Sequence, residues 1–318
     1  MKSLPWKSFS AADGLSLDLR DYLPLVAILA AVLLWGASFA AMRISVKVLE
    51  PAAVMWLRMA IALLVLLPLA GRLRPRQIAR SDWKLLLPMV FCQPCLYFLL
   101  ESNALRLTTS SQAGVVAASV PIWVAAGAGV FLGERITFRS AAGLALAVIG
   151  VAGLTLMEGR GVRAQNPLLG NGLELAAMVC AAVNILLVKQ LSRRYNPWSL
   201  TAMQVLAGAI FFAPGALMAW RTPQTLWSPV LVGALLFLGA FVTLGAFGFY
   251  NWGMSRIPAS RASAFINLVP VVAVIIGWMA LGEALSTRQC LSALVVMGGV
   301  WLSQSRPATR SVSKSLRP

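Results

Sequence analysis

Three ionisable side chains, Arg58, Glu101 and Glu174, sit inside stretches that are otherwise apolar. A charge held there costs about 2.5–3.5 kcal/mol on insertion scales, so each must face a partner or water. Arg58 is a candidate binding-site cation for a carboxylate or phosphate on a cargo molecule. Glu101 and Glu174 lie at similar depth and are its candidate partners, and a structural ion pair that fixes helix packing is the equal alternative. Glu101 is also a candidate proton carrier, because removal from water disfavours a charged carboxylate. Its closeness to a loop favours the plainer reading, a paired or snorkelling side chain. Gln93, Tyr97 and Glu101 recur every four residues and form one polar stripe if that stretch is helical, with Pro94 interrupting it. Trp35, Ser38 and Phe39 share a second face. Asn184, Gln204, Asn251 and Asn267 are isolated amides, each as suited to interhelical hydrogen bonding as to cargo contact.

Several chemistries find no support. The chain has no histidine, which removes the commonest metal ligand and general base. The pair Cys92 and Cys95 has redox spacing but no βαβ context, and all four cysteines read as small apolar residues. No Gly-rich loop followed by Lys and Ser/Thr is present, so a P-loop motor is unsupported. A membrane enzyme acting on lipid-linked substrates needs clustered acids, bases or a metal, and the ten acidic residues are scattered. The net charge of +17 suggests nucleic acid only if it forms a patch. Here Lys and Arg occupy short gaps between apolar blocks, which is how topology signals are distributed.

Those blocks are the elements that must position the polar residues. The chain is 59% hydrophobic and only 12% charged, and the apolar runs have the length of helices that cross about 30 Å of hydrocarbon. Ten spans are expected, at Leu23–Val46, Ala52–Ala70, Trp83–Leu105, Ser110–Leu132, Ser140–Met157, Gly170–Val188, Trp198–Trp220, Trp227–Trp252, Ala259–Leu281 and Arg288–Ser303. Every backbone polar group in lipid must be satisfied within the span, so the fold class is an all-α integral membrane protein. With the N-terminus in the cytoplasm, the inner loops and tails carry 19 Lys and Arg and the outer loops 7, with Arg58 completing the 27. Both termini are therefore expected in the cytoplasm.

The chain also repeats. At an offset of 149, Ser111 overlays Ser260, Pro121 overlays Pro270, Leu132-Gly133-Glu134 overlays Leu281-Gly282-Glu283, and Arg139 overlays Arg288. At 146, Pro51 overlays Pro197 and Arg58 overlays Gln204. Five spans per half make the halves inverted, an architecture of many secondary transporters. The expected organisation is a tail at 1–22, a first repeat at 23–157, a linker at 158–169, a second repeat at 170–303 and a basic tail at 304–318.

Trp35-Gly36-x-Ser38-Phe39, Arg58 after Pro51, and the two Ala-Ser…Pro blocks with their Leu-Gly-Glu turns resemble the EamA family of the drug/metabolite transporter superfamily. The resemblance covers about residues 23–303. It implies a ten-span carrier, typically an exporter of amino acids or other metabolites, without naming the cargo. The expected function is secondary export of a small metabolite such as an amino acid across an inner membrane. The alternative is efflux of cationic amphiphiles held on aromatic faces. The expected site lies at mid-membrane between the halves, with Trp35, Ser38, Gln93, Tyr97, Gln204 and Asn251; Arg58 and Glu101, nearer the outer side, complete the candidate substrate-binding residues. The expected partners are a small-molecule substrate and the bilayer, with proton coupling as a candidate, no nucleic acid and no cofactor.

Overall fold

The computed structural model describes residues 19–73, 78–132, 138–156, 160–161, 164–256, 265–266 and 268–304. Gly133, Glu134, Ser260 and Asn267 lie outside the described residues, as do the N-terminal tail to residue 18 and the basic C-terminal tail from residue 305.

The first span is one helix, α1 (Leu19–Val46), and α2 (Pro51–Leu66) follows it across a tight turn. The third expected span is not one α-helix. It consists of α3 (Trp83–Val90), a π-helical stretch at Phe91–Leu96 and α4 (Tyr97–Leu107). Gln93 has φ −147° and ψ 121°, extended values in the middle of the span, and the Gln93–Pro94 peptide is cis. Pro94 carries no N–H, so the helical ladder is interrupted there. The fourth expected span is likewise broken, into α5 (Ser110–Ala117) and α6 (Val120–Leu132), and is followed by α7 (Phe138–Leu156).

The later chain holds α8 (Pro167–Leu191), α9 (Pro197–Phe211) and α10 (Pro214–Arg221). The last two form a single path bent by 63°. Then come α11 (Pro229–Leu236), a π-helical stretch at Phe237–Ala246, α12 (Phe247–Met254), α13 (Val269–Leu281) and α14 (Thr287–Gln304). Proline opens α2, α8, α9, α10 and α11, where its missing N–H costs no hydrogen bond. Asn166, Asn196 and Ser228 cap α8, α9 and α11 with side-chain oxygens.

Among the described residues, five helical runs are long and apolar enough to cross a membrane, and a sixth if the bent α9–α10 path counts as one. Large apolar side chains face outward on many helices, among them Leu64, Ile149, Ile210, Trp278 and Leu294. Such exposure is costly in water and ordinary against lipid. The chain is a multi-pass membrane protein. α7 and α14 pack closely where Gly150, Gly153 and Gly299 meet the partner helix, because small residues let backbones approach. α1 packs on α12 and α13, and α8 packs on α4 and α6; α2 packs on α9, and α5 on α13.

The loop ends gather at two poles. At one, the short strands β1 (Arg160–Gly161) and β2 (Glu283–Ala284) pair antiparallel, and Asn166 N donates to Leu107 O at 3.0 Å. At the other, Asp82 accepts from Arg194 at 2.7 Å and from the Tyr195 hydroxyl at 2.8 Å.

Two charged residues meet at the first pole. Arg43, near the end of α1, is buried and forms an ion pair with Glu283 at 3.1 Å. Glu283, just past the end of α13, accepts from the backbone N–H and hydroxyl groups of both Ser110 and Ser111, at 2.6–3.1 Å. Gly282 makes this possible. It takes φ +64°, a left-handed value that ends α13 and turns the chain inward.

Candidate functional site

Gln93, where the chain leaves helical geometry, faces one central cavity. Ser38 and Phe39 of α1 line it, with the half-buried Trp35 one turn before; Arg58 comes from α2, Gln93, Tyr97, Phe98 and Glu101 from the third span, and Phe247, Tyr250 and Asn251 from α12. Met178, Ala181 and Asn184 of α8 complete the wall. The space open to the centre of a water molecule is about 80 Å³. One water needs roughly 10–15 Å³ on that measure, so the cavity holds several waters or a small solute.

Seven of the eight expected site residues line this cavity; Gln204 does not. It lies behind Gln93 in a smaller adjoining space with Met59, Thr201 and Thr243. Its Nε2 donates to the backbone oxygen of Gln93 at 2.9 Å and to Asn184 Oδ1 at 2.8 Å, and Asn184 Nδ2 donates to Gln93 Oε1 at 2.8 Å. Gln204 is therefore placed as a support for the broken third span. Asn251 Nδ2 donates to Thr201 Oγ1 at 3.1 Å, tying α12 to α9. Ser38 donates to Trp35 O at 2.7 Å, the usual back-bond of a helical serine.

Arg58 is the cation of the cavity wall and is 2% exposed. Its Nε donates to Thr243 Oγ1, and Thr243 donates in turn to Leu238 O at 2.8 Å, closing a turn of the π-helical stretch. Its guanidinium lies 4.2 Å from the centre of the Phe98 ring. Arg58 Nη1 and Glu101 Oε2 are 4.0 Å apart. That is well beyond the roughly 2.7–2.9 Å of a charge-assisted hydrogen bond, so the two attract without being clasped. Glu101 accepts from the Tyr97 hydroxyl at 2.6 Å, which joins two residues of the expected polar stripe.

Glu174 departs from expectation. Sequence made it an equal candidate partner for Arg58, yet the counter-ion of Arg58 is Glu101. Glu174 is fully buried on α8, and both of its carboxylate oxygens lack a hydrogen-bond partner among the described residues. Trp35 Nε1 is likewise buried without an acceptor, and its ring packs against Tyr250 and Phe247 with centroids 4.8 and 5.3 Å away. A buried polar atom left unpaired costs about 1–3 kcal/mol.

Sequence reasoning missed Phe98, Thr243, Phe247 and Tyr250. Phe98 is one residue from a stripe member, and Tyr250 is next to Asn251. Thr243 was the detectable one, a polar residue in the apolar run from Pro229 to Met254. Nothing in sequence spacing pairs it with Arg58 across 185 residues.

The profile of the EamA-like transporter family matches the chain twice, over residues 23–156 and 168–304. An uncharacterised transporter of Archaeoglobus fulgidus is 30% identical over 282 residues, spanning 85% of this chain and 95% of that protein. A probable terminal-alkyne amino-acid exporter of Streptantibioticus cattleyicolor is 27% identical over 292 residues, spanning 89% and 94%. A solved crystal structure superposes with a TM-score of 0.61 at 21% identity, over 88% of this chain and 97% of its own, which speaks to fold alone.

Proposed function

This chain belongs to the EamA-like transporter family, and from that premise we propose that it is a secondary carrier exporting a small metabolite such as an amino acid. The observation that carries the reading is the central cavity. It sets one loosely paired cation, Arg58, beside Glu101 in a chamber walled by Trp35, Phe98, Phe247 and Tyr250. A zwitterion with an apolar side chain matches that mixture: its carboxylate goes to Arg58, its ammonium to a carboxylate and its side chain to the rings. The relative named as an amino-acid exporter supports the same class. A nucleotide sugar fits poorly, because several phosphate charges want several cations.

The architecture proposed for this carrier is ten spans in two inverted five-helix repeats, at 23–157 and 170–303, joined by 158–169. The separate family matches to each half support it. So do α6 and α13, which begin at Val120 and Val269, 149 residues apart, and α7 and α14, which begin at Phe138 and Thr287 at the same spacing. A π-helical stretch occurs in the third span of each half. The packing of α1 on α12 and α13 has its counterpart in α8 on α4 and α6. With both termini in the cytoplasm of an inner membrane, the Glu283 pole faces outward and the Asp82 pole inward.

Reconstitution tests the reading. Proteoliposomes loaded with labelled amino acids should show saturable flux that the Arg58→Ala protein lacks. Flux that changes when a pH gradient is imposed adds proton coupling. Resistance to cationic dyes with no amino-acid flux would replace this reading with the efflux alternative, which the aromatic walls favour.

A further inference from the structure

We propose that Glu174 reads a positively charged amine on the transported molecule, which makes amines, α-amino acids among them, the substrate class. The proposal rests on the carrier reading above and adds a residue outside the cavity wall as first drawn.

Glu174 occupies the same face of α8 as Met178 and Ala181, at i, i+4 and i+7, and both of those line the cavity. It is fully buried, and neither carboxylate oxygen accepts a hydrogen bond from any described residue. Its electrostatic neighbours are Glu101 and Tyr97, which do line the cavity. Glu174 thus adjoins the cargo chamber on the Glu101 side.

The charges explain what is missing. Arg58 faces Glu101, Thr243 and the Phe98 ring. From α5, Gln112 is engaged by Asn171 and Thr108. α6 brings no charged residue to α8. Arg139 starts α7, whereas Glu174 lies nearer the α8 end joined to the other end of α7, so the two are separated by roughly 15 Å along the helix axes at 1.5 Å per residue. Lys84 of α3 is exposed and sits toward the opposite pole, where Asp82 meets Arg194. Among the described residues, two carboxylates and one cation therefore share this region, and the excess carboxylate accepts no hydrogen bond. Holding it ionised in apolar surroundings is strongly disfavoured unless a cation joins it. An ammonium supplies that cation and up to three donors. It also forms the half of a zwitterion opposite to the carboxylate that Arg58 attracts.

The test uses the purified full chain in detergent and four probes: phenylalanine, 2-phenylethylamine, 3-phenylpropanoate and 2-phenylethanol. Affinity is read from ligand-induced thermal stabilisation. Wild type should bind 2-phenylethylamine at least about tenfold more tightly than 2-phenylethanol, a difference of about 1.4 kcal/mol. In Glu174→Gln that preference should vanish while the affinity for 3-phenylpropanoate stays the same or rises. Unchanged amine affinity in Glu174→Gln overturns the proposal. Equal binding of the amine and the alcohol by wild type also overturns it, and that result needs no variant to fold. If the amine binds in a Glu174-dependent way but phenylalanine does not bind at all, the amino-acid reading fails and the role of Glu174 stands.

Discussion

Gln204 Nε2 donates to the backbone oxygen of Gln93, 2.9 Å away and 111 residues earlier in the chain. That oxygen lies where the third span leaves helical geometry, so Gln204 supplies a partner that the helix itself no longer provides. The contact makes Gln204 a brace for the cavity wall, behind the residues that face the cargo.

Gln204→Ala should therefore act first on stability. It strands the Gln93 carbonyl and Asn184 Oδ1 together, with an expected loss of about 1–3 kcal/mol. A lower midpoint of thermal unfolding in detergent should accompany a weakened affinity for cargo. Full stability in this variant would remove the bracing role.

Arg58 should govern transport more than folding. Arg58→Ala is expected to reach the membrane and lose flux by at least about tenfold, equivalent to about 1.4 kcal/mol. Arg58→Lys keeps the charge but not the Nε donation to Thr243, and should recover part of the flux. If Arg58→Ala fails to accumulate and adding Glu101→Ala restores it, the pair is structural and the transport role is lost.

The Arg43–Glu283 pair should behave in the opposite way. It is buried at the pole where α1, α5 and α13 meet. Glu283→Ala leaves Arg43 uncompensated and Ser110 and Ser111 without their acceptor, a loss of about 3–5 kcal/mol. The readout is folded yield and thermal midpoint. Replacing both Arg43 and Glu283 with Ala should cost less than Glu283→Ala alone; a double variant that is worse than the sum of the singles would show that the pair was not the source of the loss.

Side-specific labelling checks orientation. In a cysteine-free background, Ser81→Cys should react with membrane-impermeant reagent only from the cytoplasmic side and Asn166→Cys only from outside. Both positions are exposed. The reverse pattern would invert the orientation read from the Lys and Arg distribution.

The sequence by itself determined the solvent and much of the plan. Apolar runs separated by charged gaps leave a chain no alternative to membrane-spanning helices, because lipid cannot satisfy a stray backbone group. It also pointed to Trp35, Ser38, Arg58, Gln93, Tyr97, Glu101 and Asn251, since a polar group inside an apolar run must face inward. Only the tertiary structure decided which polar group meets which. Arg58 faces Glu101 and Thr243, Glu174 has no hydrogen-bond partner among the described residues, Gln204 turned to a broken backbone, and Arg43 met Glu283. Helical periodicity fixes the face a side chain occupies, but the partners of Arg58, Gln204 and Arg43 come from other helices, 20 to 240 residues away in the chain. Their choice depends on how the helices pack and where they break.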